Sequence, residues 1–110
     1  MTNIDEKDLE KVAGGVDISL KEMYDNMDFA LTYAEKLMDK YSGEAYYDEV
    51  KYIRYEIMFG MNFYNNGNYE AAKEKARHNW QYMRNNKDHS DDDYVQRFMK
   101  YLRLAAECAG

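Results

Sequence analysis

Apolar residues recur along most of this chain at helical spacing, separated by short polar breaks. Leu20, Met23, Met27, Ala30, Ala34, Leu37 and Tyr41 follow one another at intervals of three and four, and Tyr24, Leu31 and Met38 widen the stripe. That period predicts a first helix over about 19–42. Ser19 with Glu22 makes a capping box at its start, and Gly43 suits the left-handed residue after its end. A second helix, about 44–66, places Tyr46, Val50, Ile53, Ile57, Gly60 and Tyr64 on one face. Phe59, Met61 and Phe63 make it apolar on other sides as well, which points to a central position.

Asn65-Asn66-Gly67-Asn68 interrupts the pattern, with Gly67 stopping one helix and Asn68 capping the next. The third helix, about 69–87, turns Tyr69, Ala72, Ala76, Trp80 and Met83 inward, and Arg84 and Lys87 lie near its negative end. After Asp88-His89, Ser90 is placed to cap a fourth helix, about 91–108, whose first turn is Asp91, Asp92 and Asp93. Its stripe is Tyr94, Val95, Phe98, Tyr101, Leu102 and Ala105. Four helices joined by short connections, with no proline to interrupt them, predict an all-α antiparallel bundle or a stack of helical hairpins over residues 16–110.

The first fifteen residues follow another rule. Ile4, Leu9 and Val12 are the bulky apolar side chains between Met1 and Gly14-Gly15, and charged residues fill the gaps. A helix over Ile4–Val12 would carry Leu9 and Val12 on one face with Ile4 at its edge, and alone it would be marginal in water. Two glycines then leave a backbone slim enough to thread a narrow cleft. This segment closely resembles the double-glycine leader of peptide bacteriocins and peptide pheromones. Ile4, Leu9 and Val12 match the family's apolar anchors, Asp8-Leu9-Glu10 its acidic-Leu-acidic core, and Gly14-Gly15 its cleavage pair. The resemblance implies recognition by a peptidase-containing ABC exporter, cutting after Gly15, and secretion of a chain that begins at Val16. Family cargoes are usually short peptides, whereas this one is far longer. Without that export route the chain reads as a cytoplasmic helical binding or immunity-type module with a plain tail.

A second resemblance covers residues 53–86. Phe59, Gly60, Phe63, Gly67, Tyr69 and Ala72 look like one tetratricopeptide-repeat hairpin, in which a small residue lets two helices approach closely. Asn79 stands where that family prefers Ala, Arg84 replaces its closing Pro, and no second copy follows, so this is one hairpin and not an array.

The net charge is −6, and the first fifteen residues contribute two lysines against four acids. An acidic chain without a basic stripe is a poor ligand for nucleic acid or for anionic membranes, and no apolar run is long enough to span a bilayer. His78, His89 and Cys108 form no metal-ligand spacing, and Asp88, Ser90 and Asp92 start a calcium loop that Asp93 and Met99 then break. There is no nucleophile elbow and no phosphate loop, so neither an enzyme nor a cofactor is expected. The unusual feature is twelve tyrosines, more than a small core hides. Tyr47, Tyr52, Tyr55 and Trp80 are the candidate face for an unknown protein target.

Overall fold

The computed structural model describes residues 18–110. Four helices, α1 (Ile18–Lys40), α2 (Ala45–Asn65), α3 (Tyr69–Met83) and α4 (Asp93–Ala109), account for the secondary structure of these residues, an all-α fold. The leader residues Ile4, Asp8, Leu9, Glu10, Val12, Gly14 and Gly15 lie outside the described residues.

The helices close an up-down-up-down ring. Glu35 of α1 pairs with Arg54 of α2, and Glu56 of α2 with Lys75 of α3. Arg77 of α3 donates to the Ala109 carbonyl of α4, and Arg97 of α4 donates to the Tyr33 hydroxyl of α1. α1 packs most extensively on α4 and also reaches across the ring to α3, so the helix nearest a central position is α1. The expectation that α2 is central is therefore corrected. Of its additional apolar side chains, Phe59 points outward, while Met61 and Phe63 are partly buried against the core.

The stripe of α1 is buried as spaced, from Leu20 to Leu37. It meets Val50, Ile53 and Ile57 of α2 and Phe98 and Leu102 of α4 in one core. On α3 the buried line is Ala72, Ala76, Asn79 and Met83, and Trp80 is only half-buried. Asn79 thus takes the inward position expected of Trp80, and its Oδ1, like the Tyr46 hydroxyl, has no hydrogen-bond partner among the described residues. Leaving a buried acceptor unpaired costs about 1–3 kcal/mol.

The helix ends also differ in part from expectation. Ser19 lies within α1, so its capping box with Glu22 does not open the helix at that register. Gly43 and Gly67 hold left-handed φ values of +89° and +82°, as required of residues that stop a helix. Asn68 caps α3 through Oδ1, which accepts the Ala71 amide proton at 3.3 Å. α3 stops at Met83, earlier than expected, and beyond it the Asn86 side chain accepts from the Asp88 amide and donates to Glu49, each at 2.8 Å. Asp92, not Ser90, caps α4: its Oδ1 accepts from the amides of Tyr94 at 2.6 Å and Val95 at 3.3 Å. Asp93 alone of the three aspartates is in the first helical turn.

Gly60 sets the spacing of α1, α2 and α3. A Cβ there would run into Met27 Cε and lie 3.0 Å from Lys75 Cβ. Alanine favours helix by about 1 kcal/mol over glycine, whereas overpacking costs about 1–3 kcal/mol. Gly60→Ala should therefore lose about 1 kcal/mol net in urea unfolding. In a Met27→Leu background, whose side chain reaches one atom less far, the loss should shrink. An equal loss in both backgrounds would contradict this account.

Candidate protein-binding face

With Tyr46, Val50, Ile53, Ile57 and Gly60 committed to the core, helical geometry turns Tyr55, Met58 and Phe59 outward and Tyr52 toward α3. On α3 the same geometry places Lys75, His78 and Tyr82 beside them. Tyr52, Tyr55, Phe59 and Tyr82 expose 40%, 47%, 49% and 46% of their surface, far more than packing side chains would.

Polar atoms hold the rings in place. The Tyr52 hydroxyl and His78 Nε2 share a hydrogen bond of 2.9 Å, and their rings meet edge to face at 5.9 Å. Tyr82 completes the cluster with its ring centroid 5.0 Å from that of Tyr52. Lys75 Nζ reaches Glu56 Oε1 at 2.6 Å and lies 6.0 Å above the Phe59 ring, while His78 Nε2 stands 3.9 Å from the same carboxylate. The Glu56 charge is thereby answered within the face. A shallow hollow of about 490 Å³ opens between Tyr52, Glu56, Phe63 and His78. Rings with wet polar edges, held by neighbours instead of rotating freely, suit contact with a protein.

The four residues expected to form one face are split. Tyr52 and Tyr55 belong to it. Tyr47 is half-buried and sits one heptad before Arg54, on the side of α2 that meets α1. Trp80 lines a separate groove between α3 and α4. Met58, Phe59 and Tyr82 join the face without having been expected there. For the two α2 residues a signal existed, since both fall off the stripe Val50-Ile53-Ile57-Gly60.

Other tyrosines serve the fold. Phe29, Tyr33, Tyr94 and Tyr101 form a ladder along the α1/α4 seam, with Lys36, Arg97 and Lys100 over ring faces at 5.5–6.0 Å. Tyr41 stacks on His89 at 3.7 Å between ring centroids, and Tyr46 meets His89 edge-on. His89 adopts a left-handed φ of 53° and bonds Glu44 at 2.7 Å, which ties the α3–α4 loop to the first turn. Burial, together with the nearby Glu22 charge, pushes the Cys108 thiol pKa up, the wrong direction for a nucleophile.

Among the described residues, no group of three or more His, Cys, Asp or Glu side chains is placed to hold a metal ion. No described helix is long and apolar enough to cross a membrane. The chain matches no family model, no curated protein and no solved structure.

Proposed function

We propose that this chain is the precursor of an exported helical protein, recognised through its first fifteen residues by a peptidase-containing ABC exporter and cut after Gly15. The observation that carries the reading is the spacing of Ile4, Leu9 and Val12 ahead of Gly14-Gly15. Ile4, Leu9 and Val12 are the anchors, Asp8 and Glu10 the acidic contacts, and Gly14-Gly15 the segment drawn into the protease. A cut after Gly15 leaves α1 to α4 whole and their core, Leu20 to Ala109, intact. The released bundle then acts by binding a protein, in a bacteriocin-like or signalling role, through the exposed rings of Tyr52, Tyr55, Phe59 and Tyr82.

The test is co-expression with such an exporter and mass spectrometry of the medium. The expected product begins at Val16, and Gly15→Val leaves the full-length chain inside the cell. An unsubstituted chain that stays inside at full length, or export unchanged by Gly15→Val, overturns the reading.

The exposed aromatic face favours one other reading, a cytoplasmic binding module of tetratricopeptide-like or immunity type. Deleting residues 1–15 would then leave both location and partner binding unchanged, whereas the export reading requires location to change.

A further inference from the structure

The α3/α4 groove on which Trp80 lies has a chemistry unlike the rest of this acidic chain. It encloses about 340 Å³. Its floor is apolar, made by half-buried Trp80 and Met99 and buried Val95. Its rim carries Arg84 from the C-cap of α3, Lys87 from the loop after it, and Lys100 and Arg103 from α4, with no acidic side chain in the lining. Arg103 is paired with Glu107 at 3.1 Å. Arg84, Lys87 and Lys100 form no ion pair with any described carboxylate, in a chain whose net charge is −6. The expectation of no basic stripe is thus corrected locally. Two separate stretches, Arg84–Lys87 and Arg97–Arg103, are brought side by side by the antiparallel α3/α4 pairing, and the intervening acids Asp88, Asp91 and Asp92 are held in the loop.

The groove is also firmly framed. Gln96 donates to the Ser90 carbonyl at 3.1 Å, and Asn86 donates to Glu49 at 2.8 Å, so the loop that forms one wall is fixed to α4 and to α2.

We propose that this groove docks an acidic amphipathic segment of a protein partner, with one apolar side chain on Trp80 and Met99 and flanking carboxylates on Arg84, Lys87 and Lys100. Unpaired cations around an apolar floor supply orientation and a fast encounter, and the desolvated floor supplies the residence time. A protein segment fits better than a continuous phosphate backbone or an anionic bilayer. Asp88 and Asp91 flank the loop wall in sequence and Glu107 stands beside Arg103, so an extended polyanion would run onto like charge at both ends. A short segment that presents its charges locally would not. The proposal stands on the groove alone and holds whether or not residues 1–15 are removed.

Trp80 is the single tryptophan, so its fluorescence reports directly on occupancy. The probe is a Glu/Leu amphipathic helical peptide of about 18 residues, titrated into the full chain. We expect a shift of Trp80 emission with saturable binding, weakened about tenfold when salt rises to several hundred millimolar. The double charge reversal Arg84→Glu/Lys100→Glu should weaken it at least about tenfold with helicity retained and Tm lowered only slightly, since both side chains are exposed and outside any ion pair. No binding, equal binding by a Lys/Leu counterpart, or binding indifferent to the double reversal overturns the proposal. So does tighter binding of phosphatidylglycerol vesicles or of a single-stranded oligonucleotide with the same sensitivity to the reversal, which would reassign the groove to lipid or nucleic acid.

Discussion

Truncating Phe98 to alanine should remove about 3–5 kcal/mol of stability, the largest loss expected from any single substitution in the bundle. Phe98 heads the fully buried side chains by volume, and it lies on α4, the helix that packs most extensively on α1. The cost has two parts. The ring's transfer from water is lost, and a cavity remains in the core that the four helices share. Helices tied across their ends by Lys40 and Tyr41 on Asp92 and by the Glu49–Asn86 bond cannot slide together to fill it. For a domain of this size the loss corresponds to a fall in Tm of roughly 15–30 °C. Urea unfolding followed by circular dichroism measures it. Phe29→Ala, at a half-exposed ring on the α1/α4 seam, provides the comparison and should lose far less. A Phe98→Ala loss near about 1 kcal/mol, or one equal to that of Phe29→Ala, would mean that the core is not packed as described.

The contrast between these two phenylalanines also marks what the sequence reveals. A stripe at intervals of three and four identifies the face a helix buries, and on α1 every residue from Leu20 to Leu37 in that stripe is buried. It does not identify which neighbour receives that face, nor which extra apolar residue is left outside. Phe59 and Phe63 look alike in sequence and lie one turn apart on the same flank of α2, yet Phe63 is partly covered and Phe59 exposed. Trp80 departs from expectation for a related reason. Its bulk suggests the core, but the line Ala72-Ala76-Asn79-Met83 occupies that position, and the polar Asn79 conceals it from a hydrophobicity reading. The basic groove is hidden in the sequence because its cations come from two segments separated by acids. Only the turn at the end of α3 brings them together.

The α3–α4 turn depends on one carboxylate, and replacing it gives the second large effect. Asp92 Oδ1 caps α4 through the Tyr94 and Val95 amides, while Oδ2 accepts from Lys40 Nζ and the Tyr41 hydroxyl at the end of α1. Its side chain is only 6% exposed. Burial pushes its pKa up, but the bonds from Lys40, Tyr41 and the two amides outweigh that and hold the carboxyl well below its ordinary value of 3.8. A carboxyl depressed in the folded state contributes stability above its unfolded pKa and loses it as pH falls toward the folded one. Asp92→Ala removes the cap and strands the Tyr41 hydroxyl, for an expected loss of about 2 kcal/mol at pH 7. Asp92→Asn keeps an acceptor for the amides and should lose about half as much. Because the wild-type advantage rests on the charge, the gap between the wild type and the Asp92→Asn variant should narrow as pH falls below about 4. Urea midpoints for the two chains at pH 7 and pH 3 measure that gap, and an equal gap at both would show that the charge contributes nothing. Because Asp92 anchors the loop that carries Lys87 and Ser90, Asp92→Ala should also shift Trp80 emission in the free protein, before the fold itself gives way.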